Sequence, residues 1–407
     1  MKVLAYTSPA RGHVYPLVPI MQALARRGHD VHAITFSPEL GALAAAGVEA
    51  SPMDVEVERI QIEDWRARSQ RAAVLAVLRA FLARAAGEVH DLRAGIERHD
   101  PDVLLVDVNC WGAAVVAEAS ERPWAMYSPY LLPLRSRDAP PFGPGLEPAS
   151  GPLGHLRDAL MRAVGNVVLG RVVLPGVNRL RAEHGLAPLH RFEDALARPP
   201  LLLALTAEGF DYPRRDWPAN VRLVGPVDFS PPAPAPAWLD ELADPLVLVT
   251  CSTEHQDDAA LVTAALEALP PAGLGVLATS AAHDAAGFSA PAGSRVERFV
   301  SHEAVLERAA CVVCHGGMGI VQKALGAGVP VVVVPYGRDQ METARRVTHA
   351  RAGAHLSPKR LTGQRLLAAV EKARTRRAGA AHVAELFAAA GGAQAAAEAV
   401  EALARTA

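Results

Sequence analysis

The chain has 407 residues, half of them hydrophobic, which is enough for two domains of ordinary size with sizeable cores. Its formal net charge of −2 gives no electrostatic case for a nucleic-acid partner. No apolar run reaches the ~18 residues that a membrane helix needs, and M-K-V-L-A-Y-T-S is too short for a signal peptide, so, with four cysteines suited to a reducing compartment, a cytoplasmic protein without stable membrane insertion is expected.

Lys2 to Ser8 predicts a first strand, running into a loop from Pro9 to Pro16. A helix is predicted from about Leu17 to Arg27, with Leu17, Ile20, Met21 and Leu24 on one face and Gly28-His29 as its stop. Val31 to Phe36 follows as a second strand. This unit resembles a dinucleotide fold, but its loop holds one glycine rather than G-x-G-x-x-G, which disfavours a nicotinamide dehydrogenase. The loop histidine, His13, has a side chain that titrates near neutrality and so suits proton transfer.

Val55 to about Arg98 is charged and alanine-rich with helical periodicity. Asp102 to Asp107 reads as a strand with an aspartate at its carboxyl end, and Pro123 to Ser128 as the next strand. Arg135 to Gly154, rich in Pro, Gly and Ala, reads as a long loop. Helices are predicted over Leu156 to Leu174 and Val177 to His184, then strands at Leu201 to Thr206 and Val221 to Val224. The stretch F-S-P-P-A-P-A-P-A is a semi-rigid extended linker. It divides the chain into residues 1–228, a linker at 229–238, and residues 239–407, with Trp238-Leu239 opening the first helix of the second domain.

Leu246 to Thr250 predicts a strand that ends in Cys251-Ser252-Thr253-Glu254, and Leu274 to Thr279 another. The richest stretch is Cys311 to Gln340. It reads as a buried strand (Cys311 to Cys314), a glycine turn (His315-Gly316-Gly317-Met318-Gly319), a helix stopped by Gly326 and Gly328, a β-branched strand (Val331 to Val334), and then Asp339-Gln340. A helix beginning at such a turn points free N–H groups and a positive dipole end into the crevice, which makes an anion site. His315 adds a donor. Asp339 and Gln340 add the acceptor and mixed groups that sugar hydroxyls need. A diphosphate beside a sugar is the natural occupant.

Four other chemistries are set aside. Cys311-Val312-Val313-Cys314-His315 matches the haem-attachment pattern C-x-x-C-H, but it lies in an apparent buried strand; a redox C-x-x-C usually sits at a helix start. There is no C-x₂-C…C-x₂-C zinc frame, and Gly326-Ala327-Gly328 lacks the Lys-Ser/Thr of a P-loop.

H-G-G-M-G followed by P-Y-G-R-D-Q, together with Gly12-His13-Val14-Tyr15-Pro16, resembles the signatures of the family 1 (UGT-like) glycosyltransferases, in particular the bacterial enzymes that decorate natural products. The resemblance implies an α/β chain of the GT-B fold, with two Rossmann-like domains facing a central cleft and the last helix crossing back to the first domain. It implies an inverting, metal-independent transfer from a TDP- or UDP-sugar to a hydroxyl of a hydrophobic aglycone. His13 matches the family's general base and Asp107 the aspartate that holds it. Gly12 matches a position close to the donor phosphates, and Ser252 or Thr253 the small hydroxyl residue that contacts phosphate. Phe299 stands where an aromatic residue, usually tryptophan, stacks on the nucleobase, and the Val300 backbone where the base edge is read. His315, Gly316, Gly317, Met318 and Gly319 match the diphosphate cradle, and Asp339 and Gln340 the sugar grip. Ile320 and Thr343 depart from the usual Thr/Ser and Asn. No cofactor or metal is expected. The expected partners are the aglycone and the nucleotide-sugar, with a homodimer left open. A GT-B epimerase or hydrolase, and a non-catalytic nucleotide-binding helper, are the alternatives.

Overall fold

The computed structural model describes residues 1–231, 234–254 and 256–406; Pro232 and Ala233 of the expected linker lie outside them. The chain is built on two parallel sheets. The first contains β1 (Lys2–Tyr6), β2 (Asp30–Thr35), β3 (Glu49–Pro52), β4 (Val103–Asp107), β5 (Trp124–Ser128), β6 (Leu201–Ala204) and β7 (Val221–Leu223), in the order β3-β2-β1-β4-β5-β6-β7. The second contains β8 (Leu246–Thr250), β9 (Gly275–Thr279), β10 (Arg295–Glu297), β11 (Ala309–Cys314), β12 (Val331–Val333) and β13 (Gly353–His355), in the order β10-β9-β8-β11-β12-β13.

Helices cover both faces of each sheet, which is why the central strands are apolar on both sides. Along β1, Val3 and Ala5 enter one core while Leu4 and Tyr6 enter the other. The first half carries α1 (Arg11–Arg26), α2 (Leu40–Ala45), α3 (Val55–Arg59), α4 (Gln70–His99), α5 (Trp111–Ala119), α6 (Gly151–Val172) and α7 (Leu174–Glu183). The second carries α8 (Ala259–Ala268), α9 (His302–Arg308), α10 (Met318–Gly326), α11 (Gln340–His349), α12 (Gly363–Arg374), α13 (Arg377–Ala389) and α14 (Gly392–Thr406).

α4 begins where the Ser69 side chain accepts the Ala72 N–H, and ends at Asp100 in the left-handed region. α5 packs against it at backbone distance: a Cβ on Gly112 would sit 1.9 Å from the Ala85 carbonyl oxygen. α14 returns to the first half, where Ala396, Ala397 and Val400 share a core with Leu17, Ile20 and Leu24 of α1. Glu401 there accepts from Arg27 Nε at 2.7 Å and pairs with His29 at 2.8 Å.

Two expectations change. The loop predicted from Pro9 to Pro16 is helical from Arg11, so His13 lies in the first turn of α1, with Pro16 and Pro19 inside the helix. The Ala10 carbonyl accepts the N–H groups of His13 and Val14, so the turn closes ahead of the prolines that suggested a loop. Trp238-Leu239 opens only a short 3₁₀ turn, Ala237–Glu241, rather than a full helix. Cys311 and Cys314 lie on opposite faces of β11, in different cores, so their thiols cannot converge on one group. Among the described residues, no single helix is long and apolar enough to cross a membrane.

Candidate active site

In open parallel sheets the ligand crevice lies beyond the carboxyl ends of the strands, where the strand order reverses. In the first sheet that point is between β1 and β4. His13 follows β1, and Asp107 is the last residue of β4. Their side chains meet there, His13 Nδ1 lying 2.7 Å from Asp107 Oδ2. Burial disfavours the imidazolium, but the Asp107 charge and hydrogen bond, together with Glu254 and Asp339, outweigh it and raise the His13 pKa. Tyr127 on β5 donates its hydroxyl to the His13 carbonyl at 3.2 Å, fixing the backbone beneath the ring.

In the second sheet the reversal falls between β8 and β11, and here the glycine turn follows β11. Gly316 has φ +99°, and a Cβ there would meet Val333 Cγ1 at 2.6 Å, so the turn requires glycine. Gly317 is the N-cap of α10, and the Val321 N–H bonds back to its carbonyl, which leaves the N–H groups of Met318, Gly319 and Ile320 to face the cleft. His315 is buried beside them. Burial lowers its pKa and keeps it neutral, and its Nδ1 has no hydrogen-bond partner among the described residues. A positive dipole end, free N–H groups and an unpartnered imidazole nitrogen together suit an anion.

The loop after β8 is tightly knit. The Ser252 N–H donates to Asp258 Oδ2 at 2.7 Å, its Oγ accepts the Glu254 N–H at 3.2 Å, and Asp258 Oδ1 pairs with His283 Nε2 at 2.7 Å. Ser252 is buried, whereas Thr253 is exposed, and both line the cleft. Phe299 is 60% exposed at the cleft wall, a free ring face, followed by buried Val300. Asp339 occupies the N-cap position of α11 without a side-chain capping bond and lies within electrostatic reach of His13. Burial raises its pKa, against the pull of Arg338 and His13. Gln340 stands differently from the sequence expectation. Its Oε1 accepts the N–H groups of Tyr336 (2.7 Å) and Gly337 (3.1 Å), and its Nε2 donates to Gln256, so the amide first serves the shape of its own loop. Gly12 lies in the first turn of α1 and lines the cleft.

One cavity of 1180 Å³ joins these groups. It continues into an apolar lobe of the first half, where Trp111 meets the rings of Phe81 and Phe192 edge-on at 5.5 and 5.2 Å, with Val74, Val77 and Leu169 beside them. Sequence reading missed several cleft residues. Arg338, at φ +53°, spans the cleft to Asp64 (3.0 and 3.2 Å) and holds Glu254 at 2.5 Å. Asn109 and Tyr130 stand against His13. Asp64 and Glu254 belong to no motif, and Asn109 carries no signal beyond its place two residues after Asp107.

The C-terminal residues 274–403 match the family model of the erythromycin biosynthesis protein CIII-like C-terminal domain. The chain is 34% identical over 384 residues to 4'-demethylrebeccamycin synthase of Lentzea aerocolonigenes, covering 91% of this chain and 90% of the relative. The chain is a glycosyltransferase of the natural-product GT-B family. The glycosyltransferase is similar in fold to the kitacinnamycin glycotransferase (TM-score 0.77, 23% identity, 99% and 98% of the two chains). It is also similar to VinC, solved in complex with DTDP (TM-score 0.72, 23% identity, 100% of both chains).

Proposed function

We propose that this glycosyltransferase moves a sugar from a TDP- or UDP-sugar to a hydroxyl of a hydrophobic aglycone, with inversion at the anomeric carbon. Residues 1–228 bind the acceptor and residues 239–407 the donor, joined through 229–238. The acceptor O–H gives its proton to His13 Nε2 as its oxygen attacks the anomeric carbon. The bond from that carbon to the diphosphate oxygen breaks, and its electron pair leaves with the diphosphate. Asp107 stabilises the imidazolium that forms, as a carboxylate does behind a catalytic histidine.

The leaving charge is met by His315 and the glycine turn at 316–319 where it opens α10, through the free N–H groups of Met318, Gly319 and Ile320, without a metal, with Ser252 or Thr253 supporting a phosphate. Preorganised donors of this kind are worth roughly 2.7–4 kcal/mol each. Phe299 stacks on the base, the Val300 backbone reads its edge, and Gly12 allows the phosphates to come close. Asp339 and Gln340 hold the sugar hydroxyls, Gln340 through what its loop contacts leave free. The base comes from one half and the cradle from the other, so nucleophile and leaving group address the anomeric carbon from opposite walls, as inversion requires.

The observation that carries this reading is the 2.7 Å His13–Asp107 pair, whose histidine shares one cavity with His315 and its unpartnered Nδ1. The apolar lobe around Trp111, Phe81 and Phe192 supports a hydrophobic aglycone. Calorimetric titration with TDP and with UDP, without added metal, tests the donor half; binding of neither to the folded protein overturns it. Mass spectrometry of an aglycone panel tests the rest. A gain of one sugar mass supports transfer, whereas free sugar alone would mean hydrolysis.

A further inference from the structure

The nitrogen that is to take the proton is already engaged. His13 Nε2 lies 3.2 Å from Nδ2 of Asn109. The other end of that amide meets Tyr130, whose hydroxyl donates to Asn109 Oδ1 at 2.8 Å. With Oδ1 accepting from Tyr130, the NH₂ group of Asn109 is the end turned to the imidazole. On the other side of the ring Asp107 accepts from Nδ1. Asp107 also accepts the Asn109 backbone N–H at 2.8 Å, through its second oxygen. The four side chains thus form one network: Tyr130 donates to Asn109, Asn109 to His13, His13 to Asp107, and Asp107 holds the Asn109 backbone. An amide N–H against Nε2 is compatible with only one neutral imidazole, protonated at Nδ1 and bearing its lone pair at Nε2.

We propose that Asn109 is a positioning residue for the base. It selects the Nδ1–H tautomer of His13, keeps Nε2 unprotonated and aimed into the cleft, and holds the place on Nε2 that the acceptor hydroxyl takes over. This rests on the reading of His13 as the base. A device of this kind is useful here because acidic groups surround the ring: Asp107 at the end of β4, Glu254 after β8 (itself paired with Arg338) and Asp339 before α11 all favour the imidazolium, which cannot act as a base. Among the groups around His13, the Asn109 amide favours the neutral ring, since a donor on Nε2 is lost when that nitrogen is protonated.

The test is ¹⁵N NMR of the full chain labelled at its histidines, with the His13 signals identified by their loss in His13→Ala. The parent is expected to show a protonated Nδ1 and an unprotonated Nε2. Asn109→Asp places an acceptor on Nε2, so His13 should become doubly protonated at neutral pH, with its titration midpoint moved up by about one unit or more. Tyr130→Phe keeps the ring but removes the donor that orients the amide, so the Nδ1–H tautomer should lose population; this variant serves if Asn109→Asp does not fold. TDP and UDP affinity should be unchanged in both. With any aglycone that the parent glycosylates, Asn109→Ala should lower kcat by roughly 10²-fold and leave KM for the nucleotide-sugar unchanged. Unaltered His13 signals in the folded variants would overturn the proposal. Undiminished transfer by His13→Ala would instead overturn the reading of the base.

Discussion

Glu342 on α11 accepts two backbone N–H groups from the other half of the molecule through one oxygen, Gly143 at 2.7 Å and Gly145 at 2.8 Å. Its other oxygen accepts Arg346 Nη1 at 2.6 Å, and Arg346 Nε reaches Asp211 at 3.0 Å, all three side chains being at least 98% buried. The loop at residues 141–143, which lines the cleft, is therefore tied to the helix that begins beside Asp339. Removing one member of a buried charge network leaves the others unpaired, at a cost of roughly 3–5 kcal/mol. Glu342→Ala should lower the thermal midpoint by several degrees and raise KM for the aglycone more than for the nucleotide-sugar. Unchanged melting would show that the two halves do not depend on this tie.

His13→Ala should lower transfer by about 10²–10⁴-fold while nucleotide binding persists. The acidic surroundings of His13 raise its pKa. With His13 as the proposed base, the neutral ring would be the active form, so kcat should rise with pH through a midpoint above the ordinary imidazole value of 6.5. A pH–rate profile with its acid limb below that value would contradict the geometry.

Gly317 has φ −59°, a backbone any residue adopts, but a Cβ there would lie 2.5 Å from His315 Nε2. Gly317→Ala should therefore act by displacing the His315 ring. TDP and UDP should bind at least tenfold more weakly, to an extent similar to His315→Ala, with little change in melting temperature. Calorimetry on the two variants compares them directly.

Glu88 is buried and accepts the Gly112 N–H at 2.8 Å; burial pushes its pKa from 4.5 up to about 8. The folded state therefore keeps a proton that the unfolded chain loses. The resulting stabilisation is complete below pH 4.5 and is lost as the pH rises toward 8. Glu88→Gln should flatten that part of the stability profile, measured by denaturant unfolding at several pH values.

The alternation of apolar strands and helices, with turns at their ends, made two parallel α/β halves legible from sequence, because burial on both faces of a strand demands it. The glycine turn at 315–319 was legible too, since a positive φ and a tight approach to Val333 select glycine. His13 and Asp107 were legible only through their resemblance to a family pattern; 94 positions apart, they meet because strand order places β1 beside β4. The start of α1 was hidden by Pro16, which reads as a loop residue. Asn109, Tyr130, Asp64 and Glu254 carried no local signal at all. Their roles are contacts between segments distant in sequence, and side-chain hydrogen bonds leave no periodicity behind. The sequence by itself determined the strands and helices of each half and the glycine turn at 315–319, through the period of its apolar residues and the conformational demands of glycine. Only the tertiary structure decided which nitrogen of His13 faces the cleft and that Glu342 ties the loop at residues 143–145 to α11, because each depends on atoms brought together from different strands or from both halves; that Gln340 is engaged by its own loop also came from the structure, because side-chain to backbone hydrogen bonds three and four residues apart leave no sequence pattern.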